Sequence, residues 1–247
     1  MSETLITNLS KYLAETYDGA THEWGEEEEA LFDQIFHDDM KFSSFGHSSS
    51  QKLSGVTVRT KADRRGDEQK FISAGCFYFG KDGQEFTVID ERHLRWKASF
   101  KTPKFEANRD YLVEYSKDGK VLVLEPYNAA TAIKPIHRQY IEKLYDGVPK
   151  ELSGNELALF DAAFHEDYQE LDATGNVVRN KHDMKLHDEK YLKVGLKITE
   201  LELTPIDETR LVAKIHAKNA QIDVEEEFIV TAKDGRIWKL EKKELVA

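Results

Sequence analysis

The sequence has little cysteine and no excess of positive charge, and each absence excludes a class of protein. Its single cysteine, Cys76, cannot form an internal disulfide and leaves no cysteine pair for a structural zinc site. With 35 Lys and Arg against 46 Asp and Glu, the net charge of −11 would repel a phosphate backbone. We therefore expect no nucleic-acid partner, and a reducing compartment, which we take to be the cytoplasm.

Long apolar segments and short cofactor motifs are also missing. No apolar run approaches the roughly 18 residues of a membrane-spanning helix, and the first residues lack the basic start and apolar stretch of a secretory signal. The sequence contains no phosphate-binding loop, dinucleotide fingerprint or nucleophile elbow, and no histidine pair in metal-ligand spacing. We expect a soluble protein with no membrane partner, no cofactor and no metal.

The sequence does contain a long repeat. Residues 31–39 (LFDQIFHDD) return as 159–167 (LFDAAFHED), and the YDG of 17–19 returns at 145, both shifted by 128 positions. This period exceeds the about 50 residues of solenoid units, so each copy must have its own core. We predict two domains, 1–128 and 129–247, that pair within the chain as a pseudo-dimer, with further oligomerisation left open.

Each copy begins with helical periodicity. Apolar residues at spacings of three and four predict helices over 6–15 and 26–36 in the first copy. In the second copy they predict a helix over 135–145 whose first residue is Pro135, where the missing N–H costs nothing. Ser153, with a glutamate three residues later, predicts a capping box at the start of the next helix.

Each copy ends with strand periodicity. Asp-Gly pairs within 81–83 and 117–119 predict hairpin turns, and 127–132 is the predicted linker. Alternating residues predict antiparallel strands over 70–79, 84–89, 92–101, 109–116 and 120–126, and over 190–204, 209–218, 222–232 and 236–243. Helices followed by antiparallel strands indicate an α+β fold.

Two short motifs occur in both copies and are typical of one family. Residues 32–39 and 160–167 both read Phe-x-x-x-Phe-x-x-Asp, and 118–121 and 234–237 both read Asp-Gly-Lys/Arg-Val/Ile. Each copy therefore resembles the nuclear transport factor 2-like or SnoaL-like family. That resemblance implies two cone-shaped α+β domains, each with N-terminal helices packed on a curved antiparallel sheet. The family includes isomerases, cyclases, epoxide-opening enzymes and binding proteins, so the fold alone implies no single chemistry.

The second copy can be compared with ketosteroid isomerase, a member of that family. Residues 138–144 (RQYIEKL) resemble its first helix, where a tyrosine donates a hydrogen bond to the substrate oxygen, so Tyr140 is the implied oxyanion donor. Asp172, five residues beyond Asp167, falls where the family has its proton-shuttling carboxylate. Glu227, eight residues before the last hairpin glycine, falls where it has a protonated acid. Two carboxyls in one apolar pocket would differ in pKa and divide the roles of base and acid.

Each of these three residues also has a structural alternative. Asp172 lies among turn-forming residues, where an aspartate often bonds its own backbone. Glu227 belongs to an acidic run that would be typical of a solvated edge. Tyr140 on the inner stripe of a helix would serve equally as a core residue.

The first copy retains the tyrosine and loses both carboxyls. Tyr12, Ser44 and Tyr111 stand at the equivalent positions, and a serine without a neighbouring base cannot shuttle protons. The aromatic side chains of Tyr12, Trp96, Tyr111 and Tyr115 instead predict a cavity that binds a flat apolar ligand. An ordinary aromatic core is the alternative.

Two functional hypotheses follow from these residues. The first is a cofactor-free acid–base enzyme of the SnoaL or ketosteroid isomerase type, which isomerises, cyclises or opens a small apolar carbonyl or epoxide compound in its second domain. The second is a non-catalytic protein, built as a pseudo-dimer, that binds a small ligand or acts as a scaffold.

Overall fold

The computed structural model describes residues 2–45, 56–78, 84–102 and 106–243. The predicted turn at 81–83 lies outside them. The chain divides into two compact units, Met1–Tyr127 and Asn128–Ala247, which we call unit 1 and unit 2. No described helix is both long enough and apolar enough to cross a membrane.

The two units have nearly the same order of elements. In unit 1 these are α1 (Ser2–Thr16), α2 (Glu26–Ile35), β1 (Phe36–Phe45), β2 (Val56–Thr60), α3 (Lys61–Ser73), β3 (Phe77–Tyr78), β4 (Gln84–Val88), β5 (His93–Lys101), β6 (Glu106–Tyr115) and β7 (Val121–Pro126). In unit 2 they are α4 (Ala129–Leu144), α5 (Gly154–Ala163), β8 (Phe164–Leu171), β9 (Val177–Asn180), α6 (Lys181–Lys193), β10 (Lys197–Pro205), β11 (Arg210–Lys218), β12 (Asp223–Lys233) and β13 (Arg236–Lys242).

Each unit builds one curved sheet with three described helices, which confirms the predicted α+β fold. The strand order is β2-β1-β7-β6-β5-β3 in unit 1, with β4 also on β5, and β10-β11-β12-β13-β8-β9 in unit 2. The sheets are mixed rather than wholly antiparallel, because β1 runs parallel to β7 and β8 runs parallel to β13. Register shifts interrupt both parallel pairs, and such irregularities bend a strand.

The first helix of each unit packs its apolar stripe into the core. The buried residues of α1 are Leu5, Leu9, Tyr12, Leu13 and Thr16. The same spacing recurs in α4, where Ile133, His137, Tyr140, Ile141 and Leu144 are buried. The repeat at 128 positions therefore has a structural cause, since both helices place the same turns against their own sheets.

Helix α4 begins earlier than predicted. Asn128 caps it, because its side-chain oxygen accepts a hydrogen bond from the Thr131 N–H at 3.0 Å and the Thr131 hydroxyl accepts one from the Asn128 N–H at 2.9 Å. Pro135 consequently lies inside the helix rather than at its first position, and most of the predicted linker is helical. Ser153 is the N-cap of α5 as predicted, but its side chain makes no capping hydrogen bond.

The helices α3 and α6 correct the sequence prediction. The segments predicted as the beginnings of strands at 70 and 190 are the ends of these helices, and the strands β3 and β10 begin only at Phe77 and Lys197. Both helices have a capping box that the sequence displays. In α6 the Asn180 side chain accepts from the Asp183 N–H at 3.0 Å, and the Asp183 carboxylate accepts from the Asn180 N–H at 3.1 Å.

Candidate functional site

Unit 2 encloses a cavity of about 570 Å³ between its helices and its sheet. Its walls are mainly apolar, and exposed Val224 is among the lining residues, so the cavity reaches the surface at that end of β12. The apolar and aromatic lining includes Ile141, Phe164, Leu196, Ile198, Ile215 and Phe228. A volume in the range of roughly 300–1,000 Å³ is typical of sites for small organic ligands.

One fully buried carboxyl group lies in the wall of this cavity. Asp188 has no exposed surface, and two tyrosine hydroxyls donate hydrogen bonds to it. The Tyr145 hydroxyl lies 2.6 Å from Oδ1, and the Tyr140 hydroxyl donates to Oδ2. All three residues line the cavity. We call Tyr140, Tyr145 and Asp188 the polar triad.

The backbone of unit 2 fixes the members of the polar triad. Tyr140 lies on the buried stripe of α4, and Tyr145 follows the last residue of that helix as its C-cap. The Tyr145 carbonyl accepts a hydrogen bond from the Ile198 N–H at 3.0 Å, which ties this end of α4 to β10. Asp188 lies on α6, whose start is set by the Asn180 cap. Preorganised donors of this kind need no rearrangement when they act.

The environment of the polar triad keeps both phenols protonated. Burial raises the pKa of Tyr140 and the pKa of Tyr145 well above the ordinary value of 10, and the negative charge of Asp188 raises both further. At neutral pH the two hydroxyls therefore act as hydrogen-bond donors. An interaction between a donor and a carboxylate is stronger in a dry interior than in water.

Two histidines line the same cavity. Burial, assisted by the charge of Arg138, lowers the pKa of His137 to about 4, so its ring is neutral at pH 7. His187 precedes Asp188 on α6, with its Nδ1 3.8 Å from Asp188 Oδ1. The Nδ1 atoms of both histidines are buried and have no hydrogen-bond partner within the described structure.

Two charge pairs lie elsewhere on the cavity wall. The Arg179 guanidinium donates to both oxygens of the nearly buried Glu170 carboxylate, at 2.8 and 2.6 Å. Lys242 pairs with Glu226. These four charges neutralise one another, so the contacts that they offer a ligand are polar but carry no net charge.

Of the three residues predicted to be catalytic, the structure brings only Tyr140 into the cavity. Asp172 is half-buried in the turn between β8 and β9, outside the cavity, where its Oδ1 accepts hydrogen bonds from the Thr174 hydroxyl at 2.7 Å and from the Thr174 and Asn176 N–H groups at 2.9 and 3.0 Å. These contacts, led by the Thr174 hydroxyl, lower the Asp172 pKa. The carboxyl therefore serves its own turn, which was the structural alternative.

Glu227 also lies outside the cavity. Its carboxylate is 2.5 Å from the ammonium group of Lys243 and 3.9 Å from that of Lys214, and the Lys243 contact lowers its pKa. The neighbouring Glu226 lines the cavity instead, because successive side chains of β12 point to opposite faces of the sheet. Glu227, the position reached by counting back from the last hairpin, therefore lies on the face of β12 that points away from the cavity.

Unit 1 places a different buried cluster at the equivalent position. The Tyr12 hydroxyl donates to the fully buried Glu68 carboxylate at 3.1 Å, and Arg64, one turn earlier on α3, forms an ion pair with it. Burial raises the pKa of Glu68, and the Tyr12 hydrogen bond opposes that rise, while the guanidinium of Arg64 contacts the carboxylate directly. We therefore describe Arg64 and Glu68 as a buried ion pair.

The other aromatic residues predicted to bind a ligand in unit 1 pack within its core. Trp96 lies 5.3 Å from Tyr111 and 6.1 Å from Phe86, measured between ring centroids. The Tyr115 hydroxyl donates to the Asp90 carbonyl at 3.3 Å. Tyr12, Trp96 and Tyr115 are each at most 2% exposed. Their ligand-binding role stays a prediction.

No functional role was predicted for Asp188, Tyr145 or His137, although the sequence contains a signal for Asp188. A shift of 120 positions superimposes Arg59-x-Lys61-x-Asp63 on Arg179-x-Lys181-x-Asp183 and aligns Glu68 with Asp188. This shift of 120 positions lies between the shift of 128 positions that relates the first helices of the two copies and the shift of 116 positions that relates their last hairpins. Tyr145 was visible as part of the YDG repeat, but no role was assigned to it. His137 replaces Leu9 at the 128 shift, which marks it as a position where the copies differ.

Across the described ranges, no three His, Cys, Asp or Glu side chains gather where they could hold a metal ion. The acidic side chains of the cavity contact tyrosine hydroxyls, an arginine and a lysine.

No family model matches the sequence, and no curated protein is significantly similar to it. Solved structures do match, each over about the length of one unit. A candidate SnoaL-like polyketide cyclase from Jannaschia sp. CCS1 is 9% identical, with a TM-score of 0.38, covering 47% of this chain and 88% of its own. A candidate ketosteroid isomerase from Kribbella flavida DSM 17836 is 15% identical, with a TM-score of 0.35, covering 47% and 82%.

An LEH-like epoxide hydrolase from M. tuberculosis is a third such structure. It is 12% identical, with a TM-score of 0.35, and the match covers 47% of this chain and 80% of the other. These three structures carry names of the family that the sequence was expected to resemble.

Proposed function

We propose that unit 2 binds a small, largely apolar molecule with a carbonyl or epoxide oxygen and performs cofactor-free acid–base chemistry on it. The single observation that supports this most is the polar triad, a fully buried carboxyl group held by two tyrosine hydroxyls in the wall of an otherwise apolar cavity. The reaction would be an isomerisation, a cyclisation or an epoxide opening.

The cavity supports the apolar part of this proposal. Burial of hydrocarbon against side chains such as Ile198, Ile215 and Phe228 would contribute about 25 cal/mol for each Å² removed from water. The few polar groups would then orient the ligand rather than supply most of its affinity.

The polar triad supports the chemical part. A ligand oxygen that reaches Tyr140 or Tyr145 would compete with Asp188 for a phenolic O–H. As negative charge develops on that oxygen, the protonated phenols would stabilise it in a water-poor site, where such hydrogen bonds are strongest. Asp188 orients both hydroxyls before the ligand arrives.

Proton exchange at the carbon next to a ketone tests the proposal without knowledge of the natural substrate. We would incubate the protein in D₂O with 1-tetralone, an apolar bicyclic ketone, and follow loss of the α-proton signal by NMR. Styrene oxide in the same assay would report epoxide opening. We expect the wild-type protein to accelerate one of these reactions, and Tyr140→Phe to reduce that acceleration by about 100-fold.

Tyr168 provides the matched control. Its hydroxyl is buried in the same unit, has no hydrogen-bond partner in the described structure and is not part of the cavity lining. Tyr168→Phe should therefore keep the wild-type rate. Saturable binding of either probe without any turnover would favour the non-catalytic binding protein, and a Tyr140→Phe variant as active as wild type would refute the role of the polar triad.

A further inference from the structure

His137 is a polar side chain in a position where the fold does not require one. It lies on the buried stripe of α4, one turn before Tyr140, with 6.4 Å between the two ring centroids. Only 7% of the residue is exposed, and it lines the same cavity as the polar triad. In unit 1 the equivalent residue is Leu9, which is buried in the core.

The imidazole of His137 has an unused hydrogen-bonding atom. Its Nδ1 is buried without a partner in the described structure, and a buried polar atom left in this state destabilises the fold. Because a leucine fills the same position in unit 1 without that cost, packing does not explain the histidine. A ligand that forms a hydrogen bond with Nδ1 would explain why a histidine occupies this position.

The ring of His137 is able to accept a proton at neutral pH. The lowered pKa of about 4 leaves the ring neutral at pH 7, so one nitrogen has a free lone pair and the other carries a proton. Of the other titratable groups that face the cavity, Asp188 bonds both phenols, Glu170 pairs with Arg179 and Glu226 pairs with Lys242. His137 is therefore free to act on a ligand, and His187 is its nearest rival.

We propose that His137 is the catalytic residue that exchanges a proton with the bound ligand. This inference rests on the proposed function and adds the base to it. An imidazole nitrogen takes the proton from the carbon next to the ligand carbonyl, so that the C–H bond breaks and an N–H bond forms. The released electron pair makes a C=C bond, and the carbonyl π electrons move to the oxygen, which accepts a hydrogen bond from the Tyr140 O–H. In D₂O the imidazolium exchanges its proton for a solvent deuteron, and transfer of that deuteron to carbon re-forms the ketone and the neutral imidazole.

The test uses the full chain, 1-tetralone and the D₂O exchange assay. We expect His137→Leu, which copies unit 1, to lower the maximal exchange rate by about 100-fold while the concentration of 1-tetralone at half-saturation stays within about threefold. His137→Ala should show the same loss, and added imidazole should restore exchange with saturation. A purely structural histidine would show neither the separation of rate from binding nor the rescue.

Two further variants decide between this residue and the alternatives. His182→Ala, on the exposed face of α6 and outside the cavity, should leave exchange unchanged. His187→Ala tests the rival, and a larger loss there than in His137→Ala would overturn the inference. Wild-type exchange that depends on Tyr140 but not on His137 would also overturn it and leave the proposed function standing. Absence of exchange in the wild type would instead remove both.

Discussion

The two units place a buried carboxyl group at the same point of the fold and treat it in opposite ways. In unit 1, Glu68 is neutralised by Arg64 from the same helix. In unit 2, the residue at the Arg64 position is Met184, and two tyrosine hydroxyls donate hydrogen bonds to Asp188. Glu68 is thus paired with a cation from its own helix, whereas Asp188 is held by phenols in the wall of a cavity.

The same comparison extends to the first helices. Leu9 and His137 occupy equivalent places, so at this position α1 has an apolar side chain and α4 has a polar atom without a partner in the described structure. Arg64 against Met184 and Leu9 against His137 are thus two differences between the buried clusters of the units. The framework of tyrosines and phenylalanines around them is shared.

The largest effect should come from breaking the ion pair of unit 1. Arg64→Met would leave Glu68 buried without its cation and should destabilise unit 1 by about 3–5 kcal/mol. Urea unfolding followed by fluorescence would measure this, in a Trp238→Phe background in which both remaining tryptophans belong to unit 1. Arg65→Met, which removes a partly exposed pair with Glu29, should cost less than about 1 kcal/mol.

The stability of the Arg64→Met variant should depend on pH because of the raised pKa of Glu68. Burial, opposed by the Tyr12 hydrogen bond, raises the pKa of Glu68 from 4.5 to about 8, and loss of the Arg64 cation removes a charge that favours the ionised carboxylate. A group whose pKa is raised on folding stabilises the protein at low pH and loses that contribution as the pH rises through the folded value. The variant should therefore be less stable at pH 9 than at pH 6, and Glu68→Gln should abolish the difference.

A smaller effect is expected when His137 is replaced. Its pKa falls from 6.5 to about 4 on folding, so the unfolded chain binds the extra proton between these values. Wild-type unit 2 should lose roughly 3 kcal/mol relative to His137→Leu as the pH falls from 6.5 to 4. Amide hydrogen exchange within unit 2 would measure the difference, and equal acid sensitivity of the two proteins would contradict it.

Replacing Met184 of unit 2 by the arginine of unit 1 should lower the exchange rate of unit 2. Met184→Arg would place a guanidinium one turn before Asp188 on α6, as in unit 1, and should lower 1-tetralone exchange by about tenfold because the new cation competes with the phenols for the carboxylate. Met184→Leu keeps the apolar volume and should keep the rate. An active Met184→Arg protein would show that the surroundings of Asp188 do not matter.

The smallest effect should come from the two carboxyls outside the cavity. Asp172→Asn and Glu227→Gln should leave 1-tetralone exchange within about twofold of wild type, because both side chains are engaged away from the cavity. The exchange assay measures this directly. A loss comparable to that of Tyr140→Phe would restore the catalytic roles predicted from the sequence.

The fold class and most strands could be predicted because hydrophobic periodicity reports burial directly. The strands β5, β11 and β12 begin and end within about two residues of the prediction, since apolar and polar residues alternate along them. The parallel pairing of β1 with β7 could not be predicted, because register between distant strands leaves no local signal.

The site was harder to predict for a physical reason. The inward faces of α3 and α6 carry charged residues such as Arg64, Glu68 and Asp188, so these helices lack the apolar stripe by which a helix is identified. The charged residues of the polar clusters thus interrupt the apolar periodicity by which α3 and α6 would be predicted as helices. Tyr140 was found because residues 138–144 resemble the first helix of ketosteroid isomerase, where a tyrosine serves as the oxyanion donor.

Asn180 ends β9 and caps α6 with no residue between them. An amino acid inserted at this junction would rotate the helix by about 100° and carry Asp188 away from both phenols. The exposed turn around Gly175 has no such constraint and should accept extra residues. Unit 2 should therefore tolerate insertions in the turn between β8 and β9, but not at the junction between β9 and α6 a few residues later.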